Sequence, residues 1–178
     1  MNLLWDLYWP IITAAVVIGV AAGRIAFRLP AKDDRSPEYK RKRILALATG
    51  GAAVLLVTWI WHSPAGTGDR FAISTERFTR QVLIDWEMAP VHATLARDPL
   101  KRSLILSGPA DSFQRHELVR ILNDVPGIGE VHWADSRAVF ALPLLAEVEL
   151  AALISFGLGL LLAYLLELRR RYNAQWSW

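Results

Sequence analysis

Cysteine is absent from the 178 residues, which excludes disulfides, zinc thiolate sites, iron–sulfur clusters and thiol nucleophiles by inventory. Any exported domain must therefore stand on its core alone. Charge is missing from three long windows, Leu7 to Gly23, Ile44 to Trp61 and Leu150 to Leu166. A hydrocarbon core of roughly 30 Å takes about 20 apolar residues per helix, so each window reads as a membrane span. Histidine is missing from the same windows, because His62, His92, His116 and His132 all lie outside them. That disfavours an intramembrane haem or chlorophyll-type pigment. Asp6, Glu147, Glu149 and Glu167 map to the ends of the windows, unlike the embedded charges of a transporter or proton pathway.

What is present is strongly segregated: 53% of the residues are hydrophobic, yet 21% are charged. Of the 20 basic residues, eight lie between Arg24 and Arg43 and three are Arg169, Arg170 and Arg171. Both clusters flank apolar windows, so they read as topology determinants rather than as a nucleic-acid surface. Lys40, Arg41, Lys42 and Arg43, with the triple arginine, are also candidates for holding anionic lipid headgroups. No Lys or Arg precedes Arg24, so the first window is expected to be a retained span and not a cleaved signal peptide. Trp5, Tyr8 and Trp9 at its start, and Trp59 and Trp61 at the end of the second window, are interface aromatics. Pro10 is expected in the first turns, where a missing N–H costs least.

The expected organisation is transmembrane helix 1 over 1–23, a basic cytoplasmic loop over 24–43 interrupted by two prolines, and transmembrane helix 2 over 44–62. A linker over 63–73 leads to a small α+β domain over 74–141, followed by transmembrane helix 3 over 143–168 and a cytoplasmic tail over 169–178. Residues Ser63 to Pro143 carry nine basic and ten acidic residues, the balance of a soluble domain. The arginine and lysine placement puts the N-terminus and this domain outside and the loop and tail inside.

Within the domain, Phe78, Val82 and Trp86 recur at four-residue spacing with Leu83 alongside, which predicts an amphipathic helix between Ser74 and Met88 stopped by Pro90. Val91, Ala93 and Leu95 alternate with His92 and Thr94, and Ser103 to Ser107 follows the Arg97-Asp-Pro-Leu turn, so a β-hairpin is expected. Asp111 and Gln114 have the spacing of a capping box, opening a helix that carries Leu118, Val119, Leu122 and Val125. Pro126-Gly127 closes it, Glu130 to Ala134 is a third strand, and Arg137 to Ala141 either extends that strand or forms a fourth. Phe71, Phe78, Trp86, Trp133 and Phe140 are expected in the core, a surface tryptophan being the alternative as a protein anchor.

Leu104-Ile-Leu-Ser-Gly108, Ala110-Asp-Ser-Phe-Gln-Arg115 and Ile121-Leu-Asn-Asp-Val-Pro-Gly-Ile-Gly-Glu-Val131 together resemble the BON domain, over residues 74–134 and none of the spans. The resemblance rests on a strand ending in Leu-Ser-Gly108, a helix, and a Gly127 step leading to Val131. Pro109 after the glycine and Ile128 in place of the usual valine depart from the pattern. The resemblance implies an α-β-β-α-β fold, two helices on a three-stranded sheet. It further implies a non-catalytic periplasmic module of a Gram-negative-type cell that binds phospholipid surfaces or proteins, which the spans would anchor in the inner membrane.

Chemistry-bearing patterns are sparse in the sequence. Ser107-Gly-Pro-Ala-Asp-Ser112 lacks a nucleophile elbow, and Pro126-Gly-Ile-Gly129 lacks the lysine of a phosphate loop. His92 and His132 are the one histidine pair that could meet across the sheet, but no His-x-x-x-His spacing supports a metal. No catalytic, metal or cofactor residues are therefore expected. The spans carry small residues four apart, Gly19 with Gly23, Ala46 with Gly50, Ala48 with Ala52, and Ser155 with Gly159 and Ala163, which lets helix backbones approach. The expected protein is a non-enzymatic accessory subunit whose helices pack against other integral membrane subunits. The alternatives are a stand-alone phospholipid-binding factor and a channel-like homo-oligomer.

Overall fold

Three of the helices are long and apolar enough to cross a membrane: α1 (Leu3–Phe27), α2 (Pro37–His62) and α5 (Leu144–Gln175). The computed structural model describes residues 3–28, 36–136 and 140–175. Between α2 and α5 lie α3 (Thr67–Asp85), β1 (His92–Arg97), β2 (Leu100–Ser107), α4 (Ser112–Asn123) and β3 (Glu130–Trp133). The chain divides into two units, one built on residues 62–147 with residues 1–7, the other on Tyr8–Trp61 and Val148–Trp178.

In the helical unit the spans are longer than expected. Pro37 begins α2 instead of breaking a helix: Ser36 caps it, its Oγ accepting the Tyr39 N–H at 3.2 Å. A proline at the first helical position forfeits only an N–H that has no intrahelical partner. Residues 37–43 are therefore helix and not loop. At the other end α5 continues to Gln175, where Glu167 pairs with Arg170 and Arg171 across one turn, 3.1 Å in each case; residues 169–175 of the expected tail are helical. Pro10 lies inside α1, so the Asp6 carbonyl receives no N–H from the fourth residue after it.

The three helices meet along small residues. Ile11, Ala15, Gly19, Ala22, Gly23 and Ala26 form the buried stripe of α1, and Val148, Ala152, Ser155, Phe156, Gly159 and Ala163 that of α5. On α2 the buried positions are Gly50, Val54 and Thr58. A Cβ on Gly50 would lie 2.8 Å from the Ala22 Cβ and 3.1 Å from the Phe156 ring, so all three helices converge there.

In the small unit the element order is helix, two strands, helix, strand. The mixed sheet has the order β1-β2-β3, with β1 antiparallel and β3 parallel to β2. The register places Leu95 opposite Leu104 and Leu104 opposite Val131, and likewise Ala93, Leu106 and Trp133 in one row. Alternation puts these side chains on one face, and the buried residues Phe71, Ala72, Leu83, Leu118 and Leu122 of α3 and α4 complete the core. Helix α3 starts at Thr67, inside the stretch expected to be linker. Glu76 guards the outer edge of β1, one oxygen accepting the Leu95 N–H at 3.0 Å and the other pairing with Arg97 at 2.7 Å; an occupied edge resists pairing with another chain.

The buried face of α3 is not the expected one. Phe71, Ala72, Thr75, Thr79 and Leu83 are buried, whereas Phe78 and Trp86 are 52% and 57% exposed. Thr79 occupies a core position with its methyl packed and its hydroxyl donating to the Thr75 carbonyl at 2.8 Å, whereas the buried Thr75 hydroxyl has no hydrogen-bond partner among the described residues. Of the five aromatics expected in the core, Phe71 and Trp133 are buried and Phe78, Trp86 and Phe140 are exposed. Within Arg137 to Ala141, residues 137–139 lie outside the described residues, and Phe140 and Ala141 are not in a strand.

Candidate functional site

The small unit has two poles. At one, the chain enters α3 at Thr67 and leaves at Pro143, which bridges to Lys101 at the start of β2; Arg102 pairs there with Glu147 at 3.3 Å. At the other, α3 and β2 end and β1 and α4 begin. Gly108 makes this second pole tight: its φ is 123°, and a Cβ would lie 2.7 Å from the Pro90 carbonyl oxygen. Gly127, at φ 103°, sits against the Phe71 ring at the first pole. Val131 is buried in the sheet. Of these three residues, singled out by the sequence, Gly108 and Gly127 shape turns, while Val131 belongs to the core and also lines a shallow depression between α4 and β3.

The second pole presents apolar surface. Trp86 ends α3, and Phe113, 73% exposed, stands in the first turn of α4. The helix is opened by a full capping box: Asp111 accepts the Gln114 N–H at 2.8 Å, and the Gln114 side chain accepts the Asp111 N–H at 2.9 Å. That cap fixes the rotation of α4 and with it the outward direction of Phe113. The sequence pattern alone does not single out Phe113. The usable signal is that Leu118 and Leu122 define the inner face and Phe113 falls off it.

A shallow depression between α4 and β3 is lined by Arg115, His116, His132, Trp133 and Asp135 among others. The Arg115 guanidinium lies 4.6 Å over the Trp133 ring and 2.6 Å from Asp135. Its hydrogen bond holds the Asp135 carboxyl below the usual carboxylate range, and Arg120 does the same for Glu117. The histidines are dispersed. His92 and His132 are on the two outer strands with β2 between them, which separates the one pair that could have met across the sheet. His116 Nδ1 is 2.7 Å from the Ser112 carbonyl oxygen. Ser103 Oγ lies 3.2 Å from His132 Nδ1, within nucleophile-to-base range. Ser103 is only 3% exposed, so that pair is closed to a substrate.

The transmembrane candidates separate into two groups. Gly19, Gly23, Gly50, Ser155, Gly159 and Ala163 are buried inside the chain's own three-helix packing. Ala46 is half-buried, and Ala48 and Ala52 are exposed on α2. Trp5, Trp9 and Trp59 are exposed, with Tyr8 and Trp61 half-buried. Of the basic candidates, Lys40, Arg41, Lys42 and Arg169 point outward, Lys42 pairing with Glu38 at 2.9 Å. Arg43 instead stacks on the Phe27 ring at 5.3 Å.

No family model matches the chain, and no curated protein or solved structure matches it.

Proposed function

We propose that the chain is a non-enzymatic membrane protein that holds its small α+β domain on the non-cytoplasmic side, the periplasm of a bacterial cell, as a protein-binding module. The observation that carries this reading is the pole bearing Trp86 and Phe113. Both large aromatics there are exposed, and exposed aromatics of this kind are the usual anchors of protein interfaces. The BON resemblance points the same way.

The partners are other subunits of a membrane complex, held by this pole. Since most small-residue pairs are used within the chain, the α2 face with Ala48 and Ala52 is the surface left for a neighbouring helix. Purification in mild detergent followed by mass spectrometry tests the proposal. Stoichiometric foreign subunits that are lost from a Trp86→Ser, Phe113→Ser variant support it. Self-copies alone would favour the homo-oligomer, and a monomer retaining only lipid would favour the lipid-binding factor. Turnover of any substrate would overturn the non-enzymatic reading.

A further inference from the structure

The basic end of the helical unit contains a cavity that the protein-binding reading does not use. Helix α1 finishes there at Phe27, α2 begins with Pro37, and the last turns of α5 pass alongside. A cavity of about 350 Å³ lies among them, lined by Phe27, Tyr39, Arg43, Tyr164, Glu167 and Arg171 with Leu168. Its wall is aromatic: the Phe27 and Tyr164 rings meet edge to face with centroids 5.6 Å apart. Arg171 donates to the Phe27 carbonyl oxygen at 3.1 Å, satisfying a carbonyl at the C-terminus of α1 and fixing its own guanidinium at the cavity. Tyr39 reaches the Ala26 carbonyl at 3.5 Å.

Arg43 is the informative group. Its guanidinium is held over the Phe27 ring, and among the described residues it makes no hydrogen bond or ion pair. A charge held over a ring face, with N–H donors that meet no acceptor among the described residues, suits an anion, because guanidinium donors match phosphate oxygens. The surrounding charge has the same sign. A second groove sharing Glu167 is lined by Arg24, Arg28 and Arg170, so among the described lining residues of the two, five arginines accompany one carboxylate.

We propose that this cavity binds the phosphate of an anionic phospholipid, with Arg43 and Arg171 donating to its oxygens and the acyl chains lying along the exposed leucines of α5. A lipid is favoured over free phosphate because the cavity opens where apolar helix surface ends, with Tyr164, Leu165 and Leu168 exposed beside it. That level is where headgroups sit, and basic pockets between membrane helices are suited to them. The proposal is independent of what the small domain binds.

The test uses the full chain in mild detergent, titrated with phosphatidylglycerol, phosphatidylcholine or inorganic phosphate and read by native mass spectrometry and thermal unfolding. Phosphatidylglycerol is expected to be retained and to raise the unfolding midpoint, and phosphatidylcholine to do neither. Arg43→Gln removes no side-chain hydrogen bond among the described residues and should weaken retention about fivefold, with the Arg43→Gln, Arg171→Gln pair weakening it about twenty-fold. The control Lys40→Gln, Arg41→Gln removes the same charge from outward side chains and should change retention by less than about twofold. Equal losses from the two double variants, or no preference for phosphatidylglycerol, would overturn the site. Displacement of the lipid by inorganic phosphate alone would overturn its assignment to a lipid.

Discussion

Gly19 of α1 and Gly159 of α5 face each other so closely that a Cβ on either would lie 3.0 Å from the other's Cα. The contact is reciprocal. A Cβ on Gly19 would run into the Phe156 carbonyl oxygen, and one on Gly159 into the Val16 carbonyl oxygen. Each glycine thus lays a Cα hydrogen against the other helix's backbone, a weak attraction available only where no side chain intervenes.

Replacing Gly19 or Gly159 by valine is accordingly expected to push α1 and α5 apart and to destabilise the helical unit by about 1–3 kcal/mol. Gly51 and Gly157, where a Cβ would meet nothing within 4 Å, are the controls, and alanine at either should be close to neutral. Thermal unfolding in detergent followed by tryptophan fluorescence separates the two classes. Equal effects at all four positions would mean that the seam is not as tight as described.

Gly108 predicts a comparable effect in the small domain for a different reason. Its φ of 123° is one that residues with a side chain rarely adopt, and the Pro90 carbonyl occupies the space a Cβ needs. Gly108→Ala should cost about 2 kcal/mol or more in stability, read by protease resistance of the domain within the full chain. A wild-type digestion profile would contradict the pole geometry.

Much of this was legible in sequence, and the failures have physical causes. The apolar windows, the helix-strand-strand-helix-strand order and the Asp111–Gln114 cap are local signals, carried by residues within a few positions of one another. Hydropathy points to the wrong face of α3, because it gives Phe78 and Trp86 more weight than Thr75 and Thr79, although the latter two fill the core. Pro37 reads as a breaker until Ser36 before it is recognised as its cap. The basic-end cavity draws on Phe27, Arg43, Tyr164 and Arg171, residues far apart in the chain, so no local pattern marks it.

Acidification offers a check on the α4–β3 junction. The hydrogen bond from Arg115 lowers the Asp135 pKa in the folded state, so the pair contributes stability above the ordinary aspartate range and loses it as pH falls through the lowered folded value. The unfolding midpoint of the wild-type chain should therefore drop more steeply on acidification than that of Asp135→Asn. Parallel curves would show that the pair adds nothing.

The most direct test concerns topology, because the functional reading requires the small domain and the basic segment to lie on opposite sides of a membrane. With no native cysteine, single cysteines at Ser36 and Ser112 can be probed by an impermeant maleimide on intact spheroplasts. The cysteine at Ser112 should label at once and the one at Ser36 only after permeabilisation. Labelling of Ser36 alone, or of both sites before permeabilisation, would contradict the account.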